Sequence, residues 1–119
     1  MLRVFIASGD AGFCATLRSF FQPENGFIVC GEARDKFETF DMVKELVPDL
    51  VVLELTEIVD LKIVQAIKAV LPEVPVFVIT VQNFFSAEKE ALSHGVDAVF
   101  EKEDFSSLVT NARAVCGLE

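Results

Sequence analysis

Ser8-Gly9-Asp10, Glu54, Thr80 and Lys102 each close a short apolar stretch of this chain. A carboxylate, a hydroxyl and an ammonium at such stretch ends could receive or hold a phosphoryl group, or pair with one another. Phosphoryl transfer onto a carboxylate needs in-line approach and a divalent cation to neutralise the phosphoryl oxygens. Magnesium takes hard oxygen ligands, usually one or two carboxylates. Asp10 directly precedes a predicted helix, so capping is preferred to metal ligation. Thr80 is equally suited to bonding local backbone, as strand-end threonines do. A rival reading takes Ser8-Gly9-Asp10-Ala11-Gly12 as a loop cradling a phosphate at a helix N-terminus, which describes a small-ligand (phosphate or nucleotide) binding protein. Two glycines after a strand are a weak signal for it.

The remaining reactive side chains point to no second centre. Cys14, Cys30 and Cys116 are odd in number and lack C-x-x-C spacing, so they read as reduced, mostly buried small apolar residues. His94, the sole histidine, stands beside Gly95 at the end of the fourth predicted helix, where a proton suits the helix dipole. No metal or cofactor is expected. A net charge of −9 argues against direct binding to nucleic acid, which demands a basic patch. Tyr and Trp are absent while Phe is plentiful, which removes the usual stacking platforms for a flavin or base.

The elements that must position these residues follow from hydropathy. Leu2 to Ala7, Phe27 to Cys30, Leu50 to Leu55, Val76 to Thr80 and Ala98 to Phe100 are buried-strand runs. Helical periods lie between them: Phe13, Leu17, Phe20 and Phe21; Phe37, Phe40, Val43 and Leu46; Ile63, Ile67, Val70 and Leu71. Pro23 with Gly26, Pro48-Asp49, Pro72 with Pro75, and Gly95 punctuate the series. Five βα units predict one α/β domain over residues 1–119, a three-layer sandwich on a parallel sheet of flavodoxin-like order 2-1-3-4-5. Chemistry then belongs at the carboxyl ends of the strands, at Ala7 to Asp10, Glu54 to Val59, Thr80 to Asn83 and Glu101 to Glu103. The apolar runs are strand-sized, far below the roughly 20 residues of a membrane helix, and the N-terminus lacks a signal-peptide pattern; a cytoplasmic address is expected.

At these positions the sequence resembles the receiver domains of bacterial two-component response regulators, especially those joined to a helix-turn-helix output domain. Gly31-Glu32-Ala33, Pro48-Asp49, Thr80, Gly95 and Lys102 fall at family spacing, and the match runs over essentially the whole chain. The loop after the third strand is about two residues shorter than usual and lacks the usual proline and glycine. The resemblance implies an aspartate nucleophile ending strand 3, two acidic magnesium ligands after strand 1, a hydroxyl on strand 4 and a lysine on strand 5. Thr80 and Lys102 keep their roles. The acidic pair reads Ser8-Gly9, and the phosphoacceptor position reads Glu54, whose carboxylate stands roughly 1.5 Å beyond an aspartate's reach, a misplacement worth about a hundredfold in rate. Phosphorylation is therefore expected to be abolished, with Glu54 either mimicking the phosphorylated state or drifted and paired to Lys102. An ordinary phosphorylatable receiver, with Glu54 or Asp10 substituting chemically, is the lesser alternative.

The expected function is a non-catalytic, phosphorylation-independent receiver module in signal transduction or transcriptional regulation, with any DNA contact made by an attached output domain. The resemblance places partner binding or dimerisation on the fourth helix, fifth strand and fifth helix. There Phe84, Phe85, Glu88, Lys89, Leu92, Val99 and Glu101 would form the contact surface. Val99 stands at the family's aromatic switch position without a ring, so one predominant conformation is expected.

Overall fold

Near-continuous apolar runs suit strands covered on both faces. The five in this chain form one parallel sheet in the computed structural model, which describes residues 1–55, 61–80 and 88–118. In chain order the elements are β1 (Leu2–Ala7), α1 (Ala11–Phe20), β2 (Phe27–Ala33), α2 (Lys36–Leu46), β3 (Leu50–Leu55), α3 (Lys62–Val70), β4 (Val76–Thr80), α4 (Glu88–Ser93), β5 (Ala98–Glu101) and α5 (Phe105–Val115). The sheet order is β2-β1-β3-β4-β5, as expected, so the reversal point falls between β1 and β3.

Strand alternation sends successive residues to opposite sides and splits the core in two. Val4, Ile6, Leu50, Val52, Phe77 and Ile79 meet Phe13, Cys14 and Leu17 of α1 and Leu108 and Ala112 of α5. Phe5, Val51, Leu53, Val76 and Val78 meet Val43 of α2, Val64 and Ile67 of α3 and Ala91 of α4. Asp10, Asp35 and Asp104 cap α1, α2 and α5, each accepting a backbone N–H three residues on. Gly95, at φ +97, ends the α4 turn in the left-handed conformation.

Three expectations need correction. β2 runs on to Ala33 rather than ending at Cys30, because a bulge between Val29 and Gly31 restores the register with β1. Phe37 is 74% exposed and Val70 44% exposed. The buried stripe of α2 runs through Thr39 and Val43, which puts Phe37 on the opposite side, and that of α3 through Val64 and Ile67. Cys14 is buried, but Cys30 and Cys116 are only half-buried; burial raises all three thiols above their usual range.

Val47 ends α2 at φ 47, a left-handed conformation that a β-branched residue resists, and its side chain is half exposed. Val47→Gly relieves that strain at the cost of a freer unfolded chain, so we expect a net gain of up to about 1 kcal/mol. A raised urea midpoint with unchanged slope checks it; a lowered midpoint contradicts it.

Candidate functional site

Glu54 is the penultimate residue of β3 and shares the face of Leu50 and Val52. Lys102 follows β5 and shares the face of Ala98 and Phe100. Pairing of Glu54 with Ile79, and of Ile79 with Phe100, sets the two on one side of the sheet with β4 between them. The lysine's long stem bridges that strand. Its ammonium stops 2.7 Å from Glu54 Oε2, 3.8 Å from Asp10 Oδ2 and 4.6 Å from the centre of the Phe13 ring. The ring face adds cation–π attraction.

The Glu54 side chain is 5% exposed, whereas that of Lys102 is 31% exposed. Buried Ser8, just after β1, donates its hydroxyl to Glu54 Oε1 and accepts the Asp10 N–H at 3.0 Å. Oε2 is held by the Lys102 ammonium at 2.7 Å, a charge-assisted contact that compensates the buried carboxylate. Contact with Glu54 in turn holds the Lys102 ammonium above its ordinary pKa of 10.5. Asp10 lies below its usual range, chiefly because its carboxylate accepts the Phe13 N–H.

The structure thus gathers Ser8, Asp10, Glu54 and Lys102. Thr80 stays apart: it is buried, and its hydroxyl donates to the Phe100 carbonyl at 3.4 Å. It shares the face of Val76 and Val78, away from Glu54. A Cβ on Gly9 would meet nothing closer than the Arg34 carbonyl at 3.8 Å, so packing does not demand glycine there. Phe84 and Phe85, and the short loop after β3, lie outside the described residues. Glu88 and Lys89 open α4, Leu92 is 49% exposed, Val99 is half-buried and Glu101 is exposed.

A pocket of about 460 Å³ opens on the cluster, lined by Ser8, Asp10, Glu54 and Lys102 and, beyond them, by Arg34, Lys36 and Thr39. Sequence reasoning missed Arg34, Lys36, Thr39 and the Phe13 ring. The sheet order was the available signal, since β2 beside β1 brings its own carboxyl-end loop to the same edge.

A divalent cation does not fit these donors. Glu54 is committed to an ammonium and a hydroxyl, Asp10 to capping α1, and Gly9 offers no side chain. The N-terminus of α1 is likewise already served by the Asp10 carboxylate, where a phosphate cradle would need bare N–H groups.

Comparison with known proteins follows the same geometry. The sequence pattern described as "Response regulator receiver domain" matches residues 4–113. The REC domain of AraT, a response regulator from Geobacillus stearothermophilus, superposes with a TM-score of 0.85 at 24% identity, covering 98% of this chain and 93% of that one. A two-component response regulator of the LuxR family from Aurantimonas sp. SI85-9A1 gives 0.87 at 20% identity over 98% and 86% of the two chains. A DNA-binding response regulator of the LuxR family from Staphylococcus aureus gives 0.85 at 17% identity over 98% and 99%. At these identities the superpositions establish the fold.

Proposed function

Since this chain belongs to the response regulator receiver domain family, we propose that it is a receiver that works without phosphorylation, as a non-catalytic protein-binding module of signal transduction. The observation that carries this reading is the state of Glu54. Its carboxylate sits where the phosphoacceptor is expected, and both of its oxygens are engaged, one by the Ser8 hydroxyl and one by the Lys102 ammonium. A carboxylate held by a hydroxyl and an ammonium, with its side chain only 5% exposed, is restrained in position and blunted as a nucleophile towards an incoming phosphorus.

Signalling then rests on binding. The surface we assign to it is α4, β5 and α5, where Leu92 is exposed and Val99 replaces a swinging ring with a small branched side chain. A switch without a moving part favours one conformation, so partners would be chosen by constant affinity rather than by a population shift. Either another protein or a second copy of the chain suits this role. Among the described residues no helix is long and apolar enough to cross a membrane, which agrees with the cytoplasmic role we assign. Contact with DNA would fall to an attached output domain, and regulation of transcription through such a domain is part of this proposal.

Sedimentation velocity with and without acetyl phosphate and magnesium tests the reading. We expect the same distribution in both conditions. A shift towards dimer on treatment would show that the domain still responds to phosphorylation. If the protein associates, Leu92→Asp should weaken that association; an unchanged dimer would place the contact elsewhere.

A further inference from the structure

The pocket that opens on the cluster continues past it to the start of α2, and that part is not needed to hold Glu54. Arg34 lines it from the turn after β2, and Lys36 and Thr39 from the start of α2. Leu53, Leu55 and half-buried Ile63, all of the core on the α2 and α3 side, line it as well. We infer that this pocket binds a small organic anion, with a carboxylate or phosphate head between Arg34 and Lys36 and an apolar body against Leu55 and Ile63. The inference rests on the reading given above, in which Glu54 is occupied by Lys102, and it supplies a receiver without phosphorylation with an input of its own.

Charge sets the sign of the ligand. Asp10, Asp35 and Glu54 line the pocket together with Arg34, Lys36 and Lys102, but all three carboxylates are committed within the protein. Asp10 accepts the Phe13 N–H, Asp35 accepts the Glu38 N–H, and Glu54 is held by Ser8 and Lys102. Of the three cations, Lys102 is paired; Arg34 and Lys36 are exposed and form no ion pair among the described residues. The Asp10 carboxyl, lowered chiefly by the Phe13 N–H, is lowered further by the Arg34 charge, so that charge bears on the pocket. A guanidinium without a carboxylate presents a planar fork that matches two oxygens of a carboxylate or phosphate. An anion there breaks no internal pair, whereas a cation would meet two unpaired positive charges.

Size sets the rest of the ligand. About 460 Å³ lies within the range of small-molecule sites. A bare inorganic ion would leave most of that space to water, while an apolar body takes the half-buried Ile63 side chain out of it. The pocket also stands at the carboxyl ends of β1 and β3, where the strand order reverses and open α/β sheets take their ligands.

The test titrates the chain with benzoate and with phenyl phosphate at low ionic strength, where exposed charges are least screened, and follows backbone amide shifts. The Gly9, Arg34, Lys36 and Thr39 signals should move saturably, with a dissociation constant of about 1–10 mM, the affinity open to so small a ligand. Whichever of the two binds more tightly identifies the head group. Acetate and neutral benzyl alcohol should each bind at least about fivefold more weakly than the better aromatic anion, because each lacks one half of the recognition. Arg34→Ala with Lys36→Ala should weaken the anion at least about fivefold and leave benzyl alcohol unchanged. No saturable movement with either anion, equal binding of benzyl alcohol or acetate, or undiminished binding in the double variant overturns the inference. Should the double variant lose its fold, the comparison of benzoate with benzyl alcohol on the wild type decides the need for charge. A phosphoryl adduct on the wild type after treatment with acetyl phosphate would defeat the reading of Glu54 and leave the titration result standing.

Discussion

Lys102→Ala is expected to destabilise the folded chain by about 1–3 kcal/mol, because it leaves the Glu54 carboxylate desolvated and uncompensated. The figure stays below that for a fully buried pair because the Lys102 side chain is 31% exposed and water screens part of the attraction. Loss of the cation–π contact with Phe13 adds to the effect. Glu54→Gln should cost less on its own, since an amide oxygen still accepts from Ser8 and the ammonium retains access to water and Asp10. In the double variant most of the Lys102→Ala penalty should disappear. Urea denaturation of the four proteins measures the coupling, expected to exceed about 0.5 kcal/mol for residues in direct contact. Additive losses would mean that the pair contributes nothing. The sign of the pH dependence follows from the raised Lys102 pKa: its contribution is complete at neutral pH and declines only as pH rises above 10.5 towards the folded-state value.

Gly31→Val should be at least as damaging, at about 2–3 kcal/mol, although valine is the better strand residue by propensity. A Cβ at Gly31 would lie 2.8 Å from Leu46 Cδ1 and 3.0 Å from the Phe5 ring. The Leu46 methyl can swing aside, but Phe5 is wholly buried at the centre of the sheet and cannot. The bulge that leaves Cys30 without a partner on β1 brings Gly31 opposite Phe5, so the site and the register are one constraint. A midpoint in urea equal to that of the wild type would show that the backbone yields more easily than this packing implies.

The parts of the fold that were legible in the sequence share a simple cause. β1, β3 and β4 are covered on both faces and therefore written as uninterrupted apolar runs, and their boundaries emerge intact. β2 is an edge strand whose later part carries Gly31 and the half-exposed Glu32, paired to Arg18, so hydropathy stops at Cys30 while the hydrogen bonding does not. Phe37 misleads for the opposite reason: a large apolar residue at helical spacing looks like core, yet the buried stripe of α2 is set by Thr39, whose hydroxyl bonds the Asp35 carbonyl.

The site was legible to a similar depth. The position of Asp10 before α1 was enough to assign it to capping, whereas pairing of Glu54 with Lys102 was one of two readings that the resemblance left open and is the contact the fold makes. The hydroxyl of Ser8 reads in sequence only as a missing carboxylate, whereas in the fold it is the donor that orients Glu54. Thr80 shows the converse: its position in the chain suggests a place in the cluster, but strand alternation turns its side chain to the other face. Phe13 could not be assigned to Lys102 beforehand because a helical aromatic at core spacing carries no sign of the charge that rests on it.

The central claim is that Glu54 accepts no phosphoryl group, and intact-mass measurement of the purified chain after incubation with acetyl phosphate and magnesium tests it most directly. The expected spectrum is that of the untreated protein, with no phosphoryl adduct. A stoichiometric adduct that disappears in Glu54→Gln would contradict the account, because it would show that the ion pair with Lys102 opens to the phosphodonor.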